Sequence, residues 1–218
     1  MTENLISNFP EDLQDTQDLE ICVAFPDLDP LKVYTDMLQL WDVHVALTRE
    51  VVLADSARSP AHVVPVIPPS PNLASAVVAL YQNQVHLGDD LAQFYGPEAG
   101  DEYSRLLKIH IDLAIKIVDD MIDGLDPKDD IAAWYANGDD LARFLAKTVR
   151  CVRFKRIQEL IKAHLACTLK EAILIIQKDY AGSQAEFQTC LGRIKELSAY
   201  LSKKVVADGG EMYEMECK

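Results

Sequence analysis

Apolar residues recur at helical spacing in six separate stretches of the chain, and no stretch alternates between apolar and polar residues. Asp29-Pro30 and Asp126-Pro127 are typical of helix starts, whereas Gly96-Pro97 is typical of a helix end. The pattern predicts an all-α fold, a helical bundle of about six helices built from three pseudo-repeated helical hairpins. The predicted helices cover about 30–54, 72–95, 98–123, 127–147, 153–178 and 180–206.

The same pattern predicts a single helical-bundle domain over residues 30–206, flanked by two acidic extensions. Residues 1–29 contain eight acids and no Lys or Arg, so this N-terminal extension is expected to be partly disordered. Residues 207–218 are expected to form an acidic, disordered tail. Five prolines between positions 60 and 71 disfavour a helix, and residues 56–72 are therefore predicted to be a proline-rich crossover loop.

Three histidines, His44, His110 and His164, lie in the middle of apolar helical stripes. The helices that follow the first two carry one shared phrase, and a weaker echo of it starts at Tyr180. Side chains three residues apart on a helix project to the same side. The chain is therefore expected to direct imidazoles, amides and carboxylates at one shared interior. The two phrases are Tyr81-x-Asn83-x-x-His86 and Tyr135-x-Asn137-x-x-Asp140.

Polar groups in an apolar interior must be satisfied by one another, by water or by a metal ion. Imidazoles and carboxylates from several facing helices suit a first-row transition metal, here zinc, iron or manganese. The sequence therefore predicts a metal-binding helical bundle. The predicted ligands are His44, His86, His110, Asp140, His164 and Glu171.

A surrounding layer of polar residues would orient the imidazole N–H groups. Asp90 and Asp139 would accept protons if an open position on the metal activated water or oxygen. The sequence identifies no catalytic residue and leaves open whether the protein is an enzyme. The residues predicted to form the surrounding layer are Asn83, Asn137, Tyr81, Tyr135, Thr168, Asp90 and Asp139.

The same polar residues also suit a closed hydrogen-bond network that sets helix register and binds nothing. Under that interpretation the protein is a non-catalytic interaction or scaffold protein. The spacings Glu-x-x-His, His-x-x-x-His and His-Glu-x-x-His do not occur, which removes three familiar kinds of helical metal site. A small-ligand sensor with an amide- and imidazole-lined pocket is a third interpretation.

The chain has 218 residues and a net charge of −14, which disfavours nucleic-acid binding because phosphates are neutralised by Lys and Arg. No apolar run reaches the roughly 18 residues of a membrane-spanning helix, so no membrane association is expected. We therefore expect an intracellular, cytoplasmic protein. A protein partner would contact the acidic termini or a basic cluster formed by Arg150, Arg153, Lys155 and Arg156.

The chain contains five cysteines, an odd number, and no Cys-x-x-Cys spacing. This usage favours reduced thiols over a disulfide framework. Cys167, which follows His164 by about one turn, is interpreted as a small buried residue rather than as a ligand or nucleophile.

Several ordered phrases carry a family resemblance over roughly residues 38–205: His44-x-x-x-Thr48-Arg49, Asn83 to Gly96, Leu107-x-x-His110, Trp134 to Leu145, and His164-x-x-x-Thr168-x-x-Glu171. As a set they resemble a family of small uncharacterised bacterial α-helical proteins, some labelled acetylglutamate kinase. The resemblance implies no function, and nothing in the phrases supports kinase activity. In that family the position of His86 holds Asp and that of Asp140 holds Glu, an exchange that ligand positions tolerate.

The chain departs from the family pattern in its acidic extension, its proline connector, its basic cluster and Ser183, where an acid is usual. These departures suggest a specialised version encoded by a large DNA virus. In that case the expected location is the cytoplasm of the host cell.

Overall fold

A computed structural model describes residues 30–57 and 71–211, which form six α-helices. No strand occurs within these ranges, and the predicted all-α fold is confirmed. The predicted helix limits differ from the observed ones by only a few residues, except at the end of the last helix. The helices are α1 (Pro30–Ser56), α2 (Pro71–Tyr95), α3 (Pro97–Ile122), α4 (Lys128–Thr148), α5 (Phe154–Ile176) and α6 (Tyr180–Glu211).

Glycine and proline form the corner between α2 and α3. Gly96 has a φ of 83°, a left-handed conformation that favours glycine because it has no Cβ. Pro97 then begins α3 at a position where the missing backbone N–H would have had no helical partner. Because this one residue separates the two helices, α2 and α3 pack against each other in antiparallel directions.

The helices form a closed ring in which each packs on the next and α6 packs on α1. Neighbouring helices run in opposite directions, as their contacts show. On α1, for example, Asp42 lies 4.0 Å from Lys195, whereas Arg49 contacts Gln184. Alternation around the ring makes α1, α3 and α5 parallel to one another, and these three helices also contact each other across the centre.

The contact between α2 and α3 is unusually close because two glycines face each other. A Cβ added to Gly88 would lie 2.6 Å from the Gly100 carbonyl oxygen. A Cβ added to Gly100 would lie 2.5 Å from the Gly88 carbonyl oxygen and 2.7 Å from the Ala92 Cβ. Any larger residue would push the two backbones apart, since real Cβ atoms do not approach so closely.

The end of α6 differs from the prediction. The acidic tail was expected to start at residue 207, but α6 continues as helix to Glu211. Asp208 is only 3% exposed because its carboxylate accepts hydrogen bonds from the Tyr95 hydroxyl and the Arg150 backbone N–H, both at 2.9 Å. The predictions for residues 1–29, most of the crossover loop and residues 212–218 lie outside the described residues.

The expectation of reduced thiols is wrong for one pair of cysteines. A disulfide joins Cys167 on α5 to Cys190 on α6, with the two Cα atoms 5.5 Å apart. Cys167 is buried, as predicted, and Cys151 is a half-buried free thiol. Odd cysteine counts do not exclude one pair, because helix packing brings distant cysteines together.

Within residues 30–57 and 71–211, none of the helices combines the length and the apolar composition required to cross a lipid bilayer.

Candidate functional site

The centre of the ring contains His44, His110 and His164, one from each of the parallel helices α1, α3 and α5. Each histidine lies near the middle of its helix. Because the three helices are parallel, the histidines lie at a similar height along the axis of the bundle. The ring centroids of His44 and His164 are 5.9 Å apart. The three imidazoles line one cavity of about 30 Å³, which is room for one or two water-sized groups. Its other lining residues are Trp41, Tyr103, Leu107, Leu141, Leu145, Ile161, Leu165 and Leu197.

An amide from the next helix orients His110. The Asn137 amide nitrogen donates to the Leu106 carbonyl oxygen at 3.3 Å, which leaves the amide oxygen as an acceptor. That oxygen lies 2.7 Å from His110 Nδ1, so Nδ1 carries the proton of the neutral ring. The unprotonated nitrogen of His110 is therefore Nε2, whose lone pair is free to bind a ligand.

Amides of the next helix also surround His44, but the atom that faces Nδ1 is a donor nitrogen rather than an acceptor oxygen. The Asn83 amide nitrogen donates to the Leu40 carbonyl oxygen at 3.0 Å, and this carbonyl again lies four residues before the histidine. Asn83 also hydrogen-bonds to His44, while Gln84 Nε2 lies 3.2 Å from His44 Nδ1. Both predicted asparagines thus contact the imidazoles that they were expected to orient.

His164 lacks such a partner. Its Nδ1 is buried and makes no hydrogen bond with the part of the chain that the structure describes. Counting from the tyrosine of each phrase, Gly182 occupies the place of Asn83 and Asn137, and glycine has no side chain to donate or accept. A buried nitrogen without a partner costs free energy unless a bound group satisfies it.

Burial keeps all three imidazoles neutral. It lowers the pKa of His44 to about 3 and the pKa of His110 to about 4. Burial also lowers the pKa of His164 well below its usual value, and repulsion from His44 and His110 lowers that pKa further. Hydrogen bonds that the imidazoles donate to Asn83 and Asn137 raise the pKa of His44 and His110, but by less than burial lowers it. Neutral imidazole is the form that binds transition metals.

Two further polar groups of the cavity lining make no hydrogen bond with described residues. They are the Trp41 Nε1–H, on a side chain 5% exposed, and the Tyr103 hydroxyl, on a side chain 1% exposed. The Tyr103 ring stacks on Phe144 with centroids 5.8 Å apart, which restricts its orientation. Neither residue is predicted as a site residue from the sequence, because an aromatic residue at a core position is usually only a packing residue.

The structure does not bring the other three predicted ligands to the histidines. His86 is exposed on α2, and Asp140 is exposed on α4, where it pairs with Arg143 at 2.6 Å. Glu171 is buried, but its carboxylate is paired with the Arg49 guanidinium of α1. Burial raises the pKa of Glu171, and the charge of Arg49 counteracts that shift.

Arg49 was missed as the partner of Glu171, although it belongs to the His44-x-x-x-Thr48-Arg49 phrase. Besides the carboxylate, it contacts Gln184 Oε1 at 3.3 Å and lies 5.0 Å above the Phe187 ring. The guanidinium thus connects α1, α5 and α6. A cationic partner for Glu171 could have been expected from the sequence, because a buried carboxylate requires an opposite charge nearby.

The remaining residues of the predicted surrounding layer have other contacts. The Tyr81 hydroxyl donates to Asp112, the Tyr135 ring packs edge-on against Trp134, and Thr168 Oγ1 donates to the His164 carbonyl of its own helix. Asp139 accepts from Gln158 at 2.8 Å. Asp90 accepts from Gln93, and burial raises its pKa to about 6.

Two of the four residues of the basic cluster, Arg150 and Arg156, are paired with acids of the same chain. Arg150 lies 3.3 Å from the Asp208 carboxylate, and Arg156 lies 2.7 Å from that of Glu196. Arg153 and Lys155 are exposed. Arg150 thereby contacts an acid near the end of α6.

Chemically, the centre offers three neutral nitrogen bases around a small cavity, which the Trp41 and Tyr103 side chains also line. Among the described residues, no three His, Cys, Asp or Glu side chains are already spaced to coordinate one metal ion. Coordination by His44, His110 and His164 would require their rings to rotate and move closer. Lys and Arg side chains are not part of the cavity lining.

Comparison of the chain with protein-family models, with curated proteins and with solved structures gave no match. The resemblance to the bacterial helical family and the viral origin therefore stay predictions.

Proposed function

We propose that this protein binds a divalent transition metal ion, such as zinc, at the centre of its helical ring, with His44, His110 and His164 as ligands. The observation that carries the proposal is the convergence of three neutral imidazoles, from three different helices, on one buried cavity. This ligand set is smaller than the six residues expected from the sequence.

The support is chemical as well as geometric. Three imidazoles are a common protein ligand set for zinc, and they leave a fourth position open. Imidazole nitrogens bind iron and manganese less tightly than zinc, so zinc is the first metal to test. The hydrogen bond to Asn137 favours the His110 tautomer with the proton on Nδ1, which leaves Nε2 to bind the metal. Hydrogen bonds to the second ring nitrogen fix the tautomer of metal-binding histidines in the same way.

His164→Leu tests the proposal with little risk to the fold. Leu has a similar volume, and no hydrogen bond to the imidazole is lost, because Nδ1 has no partner among the described residues. We expect the wild-type chain to gain about 2.7 kcal/mol of unfolding free energy when free zinc is a hundred times its dissociation constant. The variant should gain little or nothing. Thermal unfolding with and without zinc, cobalt, iron or manganese measures this difference.

His86→Leu is the matched control, since His86 is an exposed histidine on α2. It should bind zinc as the wild type does. Elemental analysis of untagged protein purified without chelator gives the stoichiometry, expected to approach one ion per chain. The proposal is wrong if the wild type gains no stability from any of these metals, or if His164→Leu binds them equally well.

A second candidate function is favoured by the asparagine contacts. Asn83 and Asn137 each connect a histidine to the carbonyl of the preceding turn, and thereby set the register of adjacent helices. Under this scaffold interpretation, Asn137→Ala lowers the unfolding free energy by about 1–3 kcal/mol, because it leaves buried groups unpaired. The exposed Gln82→Ala is the control. The scaffold interpretation also requires that metals change neither value.

A further inference from the structure

We propose that a second cavity, one helical turn from the three histidines, is a binding site for a small nonpolar molecule such as a short hydrocarbon or a dissolved gas. This apolar cavity has a volume of about 30 Å³, which is room for one or two methyl-sized groups. The inference goes beyond the proposed metal site and does not depend on it, because His44, His110 and His164 do not line this cavity.

The position of the apolar cavity follows from the parallel directions of α1, α3 and α5. Thr48, Ala114 and Thr168 line it, and each follows one of the central histidines by four residues. Four residues advance an α-helix by about 6 Å. The Trp134 side chain also lines the cavity, and its ring stacks on His110 with centroids 5.0 Å apart. The two cavities are therefore neighbours along the axis of the bundle.

Three separate apolar clusters of the core meet at this cavity without filling the space between them. One cluster contributes Val51 and Ile111 to the lining, and a second contributes Val118 and Ala172. The main cluster contributes Trp134. Apolar side chains that face a void lack dispersion contacts on that side, and a nonpolar molecule in the void would supply them.

The chemistry of the lining favours a nonpolar ligand over water, because the surface that faces the cavity is almost entirely apolar. Among the described lining residues, only Thr48 and Thr168 carry hydroxyl groups. Both donate to backbone carbonyls of their own helices, at 2.8 Å and 3.0 Å. Asp55, the one charged residue among them, lies two turns beyond Thr48, away from the histidines. A buried water requires about two to four polar partners, whereas apolar cavities bind nonpolar molecules.

The experiment titrates the full chain with dissolved xenon, a nonpolar probe, and follows the methyl signals of the side chains by NMR. We expect saturable shifts at Val51, Ile111 and Ala172, which line the cavity. Val118→Ile adds a methyl group to the lining. It should raise the xenon dissociation constant at least about tenfold, because the added group occupies the space of the ligand. Val51→Ile tests the same effect from α1 if Val118→Ile does not fold.

Val45→Ile is the matched control, because Val45 is buried but lines neither cavity. Its xenon affinity should equal that of the wild type, and so should that of His164→Leu, which separates this proposal from the metal site. Any of three results would overturn the proposal. Xenon causes no saturable shift at the apolar cavity, it shifts only residues that line the histidine cavity, or it binds the filled variant as tightly as the wild type. The residues that report binding to the histidine cavity are Leu107, Leu141 and Leu165.

Discussion

The three central histidines differ in how firmly they are held. His44 and His110 each have an amide partner on the following helix, whereas His164 Nδ1 has none among the described residues. The Asn137 hydrogen bond restricts the His110 ring to one orientation and one proton position, and Asn83 and Gln84 restrict the orientation of the His44 ring. The His164 ring has more freedom to rotate, and it is therefore the ring most able to adjust to a bound group.

The lowered histidine pKa values predict a loss of stability in acid. Below about pH 6.5 the unfolded chain takes up protons on these histidines, whereas the folded chain does so only near pH 4 or below. The contribution of these histidines to the unfolding free energy is therefore fully present above about pH 6.5. It decreases as the pH falls from about 6.5 to about 4. Each histidine contributes a slope of up to about 1.4 kcal/mol per pH unit. Urea unfolding at several pH values, with chelator present, measures the slope.

His164→Leu isolates the histidine contribution, and its slope should be smaller by up to about 1.4 kcal/mol per pH unit. Asp90 and Glu171, whose pKa values are raised, add stability as the pH falls. They are the same in both proteins, so their effect cancels in the difference. Equal slopes for the variant and the wild type would show that His164 is not buried in its neutral form.

At the residue scale, the sequence predicted the three histidines and the two asparagines of the centre but not the outward direction of His86 and Asp140. Asn83 lies at one edge of the buried stripe of α2, which continues through Gln84, Leu87 and Gly88. A helix turns about 100° per residue, so a residue three positions after the edge falls outside the stripe. Asp140 likewise follows Asn137 by three positions, and the buried stripe of α4 continues on the other side, through Gly138.

At the scale of the helices, periodic apolar spacing was sufficient to predict the elements. Contacts between distant elements were not predictable in this way. The partner of Glu171 is Arg49, on a helix that sequence spacing cannot place beside it. The sequence Ala207-Asp208-Gly209-Gly210 reads as a helix end, whereas hydrogen bonds from Tyr95 and Arg150 stabilise Asp208 within α6.

The close contact of α2 and α3 makes a prediction about glycine. Gly100→Ala should lower the unfolding free energy by about 1–3 kcal/mol, because its Cβ would collide with the backbone of Gly88. Gly192→Ala is the matched control, since its Cβ meets nothing within 4 Å in an exposed part of α6. That change should raise the unfolding free energy by about 0.5–1 kcal/mol.

Urea unfolding of the two alanine variants under identical conditions measures both effects. The opposite signs are the important feature, because helix propensity alone would stabilise both variants. A stabilising effect of Gly100→Ala would mean that α2 and α3 do not approach as closely as described.

At the scale of the whole molecule, Asp208 connects three parts of one rim of the bundle. Its carboxylate accepts hydrogen bonds from Tyr95 at the end of α2 and from Arg150 between α4 and α5. Burial raises the pKa of Tyr95, and the negative charge of Asp208 raises it further, so this hydroxyl stays a donor. The last turns of α6 therefore belong to the folded domain.

Asp208→Ala should lower the unfolding free energy by about 1.5–3 kcal/mol, because hydrogen bonds to a buried charge are lost together. Asp140→Ala removes an exposed carboxylate paired with Arg143, at a side-chain exposure of 58%, and should cost less than about 1 kcal/mol. Thermal unfolding of both variants gives the comparison. Similar losses in the two variants would contradict the role given to Asp208.

The alternating direction of the six helices also determines the electric field at the centre. Every helix has an antiparallel neighbour on both sides, so the partial charges of helix ends alternate in sign around each rim. The three macrodipoles that point one way oppose the three that point the other way. The histidines lie far from either rim, where the influence of a helix end has already declined. Their proton affinity is therefore a local property of their immediate neighbours, and a change at either rim should leave it unaltered.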